Sequence, residues 1–364
     1  MSHALGKFTV RALQAAGLAC MLGLATAGAV QAAVQRVGWV WAYSPSATHP
    51  YKVTGSYVYN STGGEVIVVP LGTGYYEVKF AGLYNGAPSD VQVSAYSSSG
   101  YCTSSGWSSS SKSVVAYVSC YDASGNPANS YFTLLYQERS GNIGNNGKGL
   151  AFVWANSPTS ASYTPSGGYS YNSTGGTNNI TRNGTGSYTV NLPGLTTGGG
   201  DVQVTAYDAV ARCKAGSWGQ SGSGTYVNVY CFDSTGAAAD EYFDLAYSDK
   251  ESFGHTTSSS AKGVYAWANN PSPTKSYTMS PTFQYNGFTT GRLTANKYGT
   301  GEYTVTIPGS FGYDFSNVLV TGYSGSSNYC NIVDWGSASV NVACYSQGGT
   351  PTDSYFDLAF QTAN

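Results

Sequence analysis

The chain has few charged residues and almost no histidine. Of its 364 residues only 9% are charged, and three are histidine. Ordinary globular chains are about 25% charged, so Ser, Thr, Asn and Tyr must keep this one in solution. The 16 Lys and Arg nearly balance the 18 Asp and Glu, and no basic run is present that could neutralise phosphates. This composition excludes long charged helices and argues against a nucleic-acid partner.

Recognisable catalytic and cofactor motifs are also missing. The sequence contains no HExxH, GxSxG or Walker motif, and its Gly-Thr-Gly triplets precede strands rather than open helices. A Ser-His-Asp triad would depend on His49 or His255, neither of which has a counterpart in the other copies of the repeat described below. We therefore expect a non-enzymatic protein with no cofactor.

An apolar segment near the N-terminus has the features of an export signal. Lys7 and Arg11 precede an apolar stretch, 13–30, which ends in the small-residue sequence Val30-Gln31-Ala32. That order is typical of a Sec signal peptide, here residues 1–32. The alternative is an uncleaved anchor, but Gly and Ala dilute the hydrophobicity of the stretch. We expect a secreted or cell-surface protein with no membrane span after cleavage.

The six cysteines after the signal segment form neighbouring pairs. Their spacing differs from the closely spaced CxxC or HxxxH ligands of zinc sites, so we predict no metal. An even number of cysteines in an exported chain indicates disulfides. The predicted bridges are Cys102–Cys120, Cys213–Cys231 and Cys330–Cys344.

One segment of about 100 residues occurs three times. The sequence Trp41-Ala42-Tyr43-Ser44-Pro45 returns in similar form at Trp154 and at Trp267, and a Gly-Thr-Gly-x-Tyr motif repeats with nearly the same spacing. The repeats predict three domains, which are residues 34–137, 149–248 and 263–361. Polar segments, 138–148 and 249–262, lie between them and are predicted to be linkers. Such linkers predict domains that move relative to one another.

Within each repeat the apolar residues alternate with a period of two. In the second repeat Val202, Val204 and Ala206 alternate with polar residues, and the runs stop at turn sequences such as Pro193-Gly194. Regularly spaced short strands of this kind predict an antiparallel sandwich or a small barrel. We expect an all-β protein of three tandem antiparallel β-sandwich-like domains, each with one intradomain disulfide.

A tryptophan follows the first cysteine of each pair and provides a candidate binding residue. If Cys213 pairs with Cys231 across a regular hairpin, Trp218 lies opposite Tyr226, on the face away from the cysteines. An exposed aromatic side chain there could stack on a sugar ring or a partner. The predicted ligand-binding residues are Trp107, Trp218, Trp335 and Tyr226. The alternative is that these residues pack across the hairpin or form a domain contact.

Other aromatic and acidic residues have both structural and functional interpretations. Trp41, Trp154 and Trp267 are expected in the core, because both faces of their strands are apolar or small. A carboxylate pair could serve as the acid and base of a glycosidase. The carboxylates that could form one are Asp240, Glu241, Asp244, Asp353 and Asp357. Because Asp244 and Asp357 alternate with apolar residues, their simpler interpretation is a solvated strand face.

The complete pattern resembles secreted bacterial tandem-repeat β-domain proteins whose function is not established. It combines the Sec signal with repeats of Trp-Ala-x-x-Pro, Gly-Thr-Gly-x-Tyr and the cysteine pair. The resemblance implies export and modularity and names no substrate or functional residue. We expect an exported binding or structural protein with a glycan or cell-surface polymer as its candidate partner. The alternatives are a secreted polysaccharide hydrolase and a proteinaceous inhibitor.

Overall fold

The computed structural model describes residues 35–84, 86–110, 112–139, 149–250, 253, 262–309, 315–336 and 338–363. The predicted signal peptide, 1–32, and most of both predicted linkers lie outside these residues. The described chain consists of β-strands and two single-turn 3-10 helices, Gly167–Tyr169 and Pro281–Phe283. It belongs to one compact unit, Ala33–Asn364. The predicted all-β class is confirmed.

Each repeat supplies nine strands in the same order, so β1, β10 and β19 are equivalent, and so on along the chain. The first repeat contains β1 (Gln35–Ala42), β2 (Tyr51–Lys52), β3 (Val58–Asn60), β4 (Val66–Gly72), β5 (Tyr75–Ala81), β6 (Ser89–Tyr96), β7 (Tyr101–Ser109), β8 (Ser113–Tyr121) and β9 (Tyr131–Arg139). The second contains β10 (Gly149–Ala155), β11 (Ser162–Tyr163), β12 (Ser170–Asn172), β13 (Asn179–Gly184), β14 (Ser187–Pro193), β15 (Asp201–Tyr207), β16 (Ala211–Ser221), β17 (Gly224–Asp233) and β18 (Tyr242–Asp249). The third contains β19 (Lys262–Ala268), β20 (Tyr277–Thr278), β21 (Gln284–Asn286), β22 (Thr294–Gly299), β23 (Glu302–Thr306), β24 (Ser316–Tyr323), β25 (Tyr329–Trp335), β26 (Ser339–Tyr345) and β27 (Tyr355–Thr362).

Within a repeat the strands form two half-sheets that pack face to face. In the first repeat the five-stranded half-sheet has the order β2-β4-β5-β8-β7, and the four-stranded half-sheet has the order β3-β1-β9-β6. Alternate residues of β5, namely Tyr76, Val78 and Phe80, point into the sandwich and are fully buried. Burial of every second residue on antiparallel strands is the signature of a sandwich. The predicted sandwich architecture is therefore confirmed.

The repeated Gly-Thr-Gly sequence makes the tight turn before β5, β14 and β23. Gly186 has a φ of +63°, and a Cβ at this position would lie 2.5 Å from the carbonyl oxygen of Cys231. Its N–H donates to Asp240 Oδ1 at 2.9 Å, and the Tyr188 hydroxyl donates to the same oxygen at 3.0 Å. The conformation and the close approach both require glycine, which explains why this triplet recurs in every repeat.

All three predicted disulfides are present. They join the two strands of one hairpin in each repeat, Cys102 to Cys120, Cys213 to Cys231 and Cys330 to Cys344. The cysteines lie in the hydrophobic cores of their sandwiches. Disulfides persist in oxidising compartments, so the bridges indicate that the protein matures in such an environment.

The repeats share their sheets, which differs from the predicted mobile domains. Each nine-stranded sheet joins the five-stranded half-sheet of one repeat to the four-stranded half-sheet of the next, and the third repeat pairs with the first. The joints are single parallel residue pairs between strand edges, namely Ser104 with Tyr207, Ala215 with Tyr323 and Ile332 with Tyr96. The three sandwiches thus close into a ring, which the polar composition of the linkers did not reveal.

The first predicted linker also begins too early. Glu138 and Arg139 belong to β9 and are almost fully buried. Arg139 Nη2 donates to the carbonyl oxygen of Phe253, a buried residue of the second predicted linker. Charge and position after a strand suggested a solvated connection, whereas these residues anchor the ends of the repeats to one another.

The four-stranded half-sheets of all three repeats meet at the centre of the ring. Their apolar residues form one shared cluster that includes Trp39, Phe152 and Leu319. A hydroxyl from each repeat also bonds to the backbone of a neighbour. These hydroxyls belong to Ser94, Thr205 and Thr321, which bond to Val320, Val93 and Val204 respectively. We call these three residues the hydroxyl ring, and the pseudo-threefold axis passes between them.

Candidate functional site

The predicted binding tryptophans are buried, because a β-bulge changes the hairpin register. Between Ala215 and Ser217 the second hairpin contains one extra residue, Gly216, so Trp218 pairs with Val227 instead of Tyr226. An odd shift moves every later side chain to the opposite face. Equivalent bulges occur in the other two repeats. The prediction of an exposed face is wrong, since Trp107, Trp218 and Trp335 are only 9%, 6% and 8% exposed.

These tryptophans instead lie where neighbouring repeats meet, as the alternative interpretation of a domain contact proposed. Five aromatic residues surround each joint, and we call each group a joint cluster. The first joint cluster comprises Trp107, Trp154, Tyr169, Tyr207 and Tyr242. The second comprises Trp218, Trp267, Phe283, Tyr323 and Tyr355. The third comprises Trp335, Trp41, Tyr57, Tyr96 and Tyr131.

Each joint cluster combines a buried tryptophan with a half-buried one. Trp154 of the second repeat packs against the core of the first, and Trp41 packs against the core of the third. Trp154 contacts Tyr169 edge-on with ring centroids 5.1 Å apart. The prediction that Trp41, Trp154 and Trp267 belong to the core therefore needs correction, because each contributes to a neighbour's core and stays half-exposed.

In two of the three joint clusters the outermost residue is a tyrosine that lies over a tryptophan. Tyr131 and Tyr242 are 38% and 41% exposed. The rings of Tyr131 and Trp41 are inclined by 26° with centroids 6.4 Å apart, and those of Tyr242 and Trp154 by 28° at 6.5 Å. Tyr355 occupies the equivalent place in the third repeat and is half-buried. The result is a partly exposed aromatic surface at each of the three joints.

Two of the predicted carboxylates lie beneath the joint clusters. Asp244 and Asp357 are fully buried. Among the described residues, no carboxylate oxygen of either accepts a hydrogen bond of good geometry, and Asp244 has only a weak interaction with the Ser104 hydroxyl. Their interpretation as a solvated strand face is wrong, because that face packs against the neighbouring repeat. Burial, and then the charge of Asp90, raises the pKa of Asp244 well above its usual value. Burial and the charge of Asp201 do the same to the pKa of Asp357.

Of the other carboxylates named from the sequence, Glu241 is partly buried, which raises its pKa, whereas Asp240 and Asp353 have cationic partners. Arg182 donates to Asp240 through Nε at 3.0 Å and Nη2 at 2.7 Å. Lys297 pairs with Asp353, which also accepts the N–H of Gly301 at 2.8 Å. The pKa of Asp240 is held below its usual value, chiefly by the hydrogen bond from Arg182. Asp240 and Asp353 hold the Gly-Thr-Gly turns and do not form a pair across a cleft.

Tyrosines of the joint clusters keep their protons at neutral pH. Burial, and then the charge of Asp244, raises the pKa of Tyr207 to about 12. Burial and the charge of Asp357 raise the pKa of Tyr323 to the same value. A protonated phenol can both donate and accept a hydrogen bond, so these groups suit neutral polar ligands.

In the part of the chain that the structure describes, no three His, Cys, Asp or Glu side chains come close enough to hold a metal ion. Over the same residues, no helix has the length and hydropathy that crossing a bilayer requires.

The aromatic surfaces that the joint clusters form were not predicted from the sequence. The available signal was that both faces of β1 and its equivalents are apolar, as in Trp39, Val40 and Trp41. A strand of this kind is buried on both sides, which requires a neighbour outside its own sandwich. Comparison with known proteins gives no further guide, since no family model, curated protein or solved structure matches the chain.

Proposed function

We propose that this is an exported, non-enzymatic binding protein that contacts a glycan or cell-surface polymer through its three joint clusters. The observation that supports this most directly is the exposed tyrosine stacked over a half-buried tryptophan at two of the three equivalent joints, with Tyr355 at the corresponding place in the third. Flat aromatic surfaces with nearby phenol groups suit sugar rings, whose C–H faces are apolar and whose hydroxyls form hydrogen bonds.

The closed ring gives this arrangement a multivalent character. One aromatic contact contributes roughly 0.5–1.5 kcal/mol beyond its buried area, which is too little for stable binding. Three contacts on one compact body act at high effective concentration when the partner presents repeated units. A polymer or a polymer-coated surface therefore suits this protein better than a single small sugar.

A hydrolase mechanism finds less support in the geometry. The acid and base of a glycosidase must both reach the glycosidic oxygen or the anomeric carbon. Asp244 and Asp357 are fully buried, and Asp240 and Asp353 are engaged by cations. We therefore favour binding over catalysis by these residues.

The test compares binding of the disulfide-bonded protein and its variants to a glycan array and to insoluble polysaccharides. In the triple variant Tyr131→Ser, Tyr242→Ser and Tyr355→Ser, we expect affinity for the bound polymer to fall at least tenfold. Each single variant should lose a smaller factor, since two contacts remain. The reason is that an exposed tyrosine can be removed without disturbing the core below it.

The matched control is the double variant Tyr75→Ser and Tyr298→Ser. Both tyrosines are similarly or more exposed, at 39% and 53%, and lie outside the joint clusters. The control should bind as the wild type does. Absence of binding by the wild-type protein, or equal binding by the triple variant, would contradict the proposal.

A further inference from the structure

The three repeats enclose a small cavity on the pseudo-threefold axis. Its volume is about 60 Å³, which is more than a single water molecule needs. The hydroxyl ring forms part of its lining. So do three equivalent side chains, one from each repeat, which are Tyr101, Arg212 and Tyr329. The cavity therefore belongs to the ring as a whole and lies apart from the joint clusters.

The second repeat alone places two cations at this cavity. Arg212 and Lys214 are 6% and 2% exposed, and both line the cavity. The equivalent residues of the first repeat are Tyr101 and Thr103, and the third repeat likewise has an uncharged pair there. The ion pairs formed among the described residues include neither Arg212 nor Lys214. Two buried positive charges thus lie side by side without a carboxylate to balance them.

Arg212 is held in place but its hydrogen bonds are incomplete. Its Cζ lies 5.0 Å from the ring centroid of Tyr101 and 4.6 Å from that of Tyr329. Its Nη2 donates to the carbonyl oxygen of Asp233 at 3.3 Å, and the guanidinium also forms a weak hydrogen bond with the Tyr329 side chain. Among the described residues, Nε and Nη1 have no hydrogen bond of good geometry. The Tyr101 hydroxyl is buried and unpartnered over the same residues. Buried polar groups are normally satisfied, so these atoms indicate a missing acceptor.

Lys214 has one hydrogen bond and an unfavourable environment for its charge. Its Nζ donates to the carbonyl oxygen of Asn328 at 2.6 Å. Burial, and then the neighbouring charge of Arg212, lowers its pKa to about 7. Burial raises the pKa of Tyr101 and Tyr329, and the carboxylate whose charge raises it further is that of Asp122. It is exposed and already accepts hydrogen bonds from its own turn, including one from Asn126 Nδ2 at 3.0 Å, so it does not balance the two cations. A bound negative charge would offset the repulsion between the two cations.

We propose that the axial cavity binds one small anion, either an oxyanion of the sulfate or phosphate type or a small carboxylate, through Arg212 and Lys214. The planar guanidinium offers two parallel N–H donors that match two oxygens of such an anion. The ammonium group of Lys214 supplies a second, less directional charge. The rings of Tyr101 and Tyr329 contact each other edge-on with centroids 6.1 Å apart, and both attract the guanidinium and hold it in position.

The test measures thermal unfolding of the disulfide-bonded protein at an ionic strength held constant with potassium chloride, whose anion lies outside both proposed ligand classes. Sulfate, phosphate and acetate are each titrated in separate series, which distinguishes the inorganic oxyanions from a carboxylate. We expect at least one of them to raise the Tm in a saturable way, because a ligand that binds only the folded protein stabilises it. In Arg212→Tyr, the half-saturating concentration should rise at least tenfold.

The variants copy residues that the protein already uses. Arg212→Tyr places in the second repeat the residue found at Tyr101 and Tyr329, and Lys214→Thr copies Thr103. Lys79→Thr removes an exposed cation elsewhere and should respond as the wild type does. Equal responses of the wild type and Arg212→Tyr would overturn the proposal. If Arg212→Tyr does not fold, crystals of the wild type soaked separately in selenate and in acetate decide. Density for either anion beside Arg212 and Lys214 supports the site, and density for neither overturns it.

Discussion

Trp335 of the third repeat packs edge-on against Trp41 of the first, with ring centroids 6.0 Å apart. The same pairing joins Trp218 to Trp267, also at 6.0 Å, between the second and third repeats. The contact between the most distant repeats in the sequence is thus equivalent to a contact between consecutive ones. A ring closed by three equivalent joints has consequences for folding that differ from those of separate domains.

A single repeat produced alone should not be a stable monomer. Residues 149–250 would expose Trp154, Trp218 and the apolar face of the four-stranded half-sheet, all of which neighbours cover in the ring. Because its two joint surfaces are complementary, we expect the fragment to associate into trimers or to aggregate. Size-exclusion chromatography with light scattering measures the mass. A well-folded monomer at micromolar concentration would contradict the shared-core description.

Stability should decrease as the pH rises towards 8. Burial raises the pKa of Asp90 to about 6 and that of Asp201 to about 8, and it also raises those of Asp244 and Asp357. Between the ordinary and the raised pKa, the folded state binds more protons than the unfolded state, so unfolding becomes easier as pH increases. Lys214, whose pKa is lowered, acts in the opposite direction above pH 7. Asp201, Asp244 and Asp357 still oppose it in that pH range, so the net effect is a loss of stability.

The first repeat supplies the substitution that tests this effect, since Thr133 occupies the place of Asp244 and Asp357. Thr133 donates to the carbonyl oxygen of Val318 at 2.7 Å. The double variant Asp244→Thr and Asp357→Thr should lose less free energy of unfolding between pH 5 and pH 8 than the wild type loses, although Asp90 and Asp201 still titrate in it. It should exceed the wild type at pH 8 by at least about 1 kcal/mol. Urea unfolding at both pH values measures this. The control Glu77→Gln changes a half-buried carboxylate and should keep the wild-type pH dependence.

The bulge at Gly216 explains why the sequence alternation placed Trp218 on the wrong face of the hairpin. Deleting Gly216 would remove only the extra residue, because Ser217 already pairs with Asn228 and Trp218 with Val227. Trp218 should therefore stay on the core side in the shortened strand. We expect the wavelength of tryptophan fluorescence to stay at its wild-type value in the Gly216 deletion. A shift to longer wavelength would mean that Trp218 had turned towards solvent and would contradict this account.

The disulfides should add stability independently in each hairpin. Replacing Cys213 and Cys231 by Ala should lower the free energy of unfolding by about 3 kcal/mol, the chain-entropy value for a loop of this length. Peptide mapping under non-reducing conditions should recover the other two bridges unchanged. Because Cys231 and Cys344 are fully buried, the native bridges should resist reduction until the protein unfolds. Rapid reduction of the folded protein would argue against their burial.

The sequence predicted each sandwich well and the relation between sandwiches poorly. Alternation in runs such as Val202, Val204 and Ala206, together with cysteine spacing, was sufficient for the strands and the disulfides because these depend on local order. The bulge could not be predicted, because its extra residue is Gly216 in one repeat and Val333 in another, so the repeats share no residue type that marks it. The joints could not be predicted, because Asp244 alternates with apolar residues. This alternation looks the same whether the face that carries Asp244 is buried or solvated.

Covalent connection of the repeats changes what the axis can contain. At the centre of three identical chains, any side chain would meet two copies of itself, and an arginine at the position of Arg212 would bring three guanidinium groups together. Here the neighbours of Arg212 are Tyr101 and Tyr329, which attract a cation through their ring faces. Fusion into a single polypeptide thus permits a heterogeneous centre in an otherwise repetitive molecule, and allows one charge where strict symmetry would impose three.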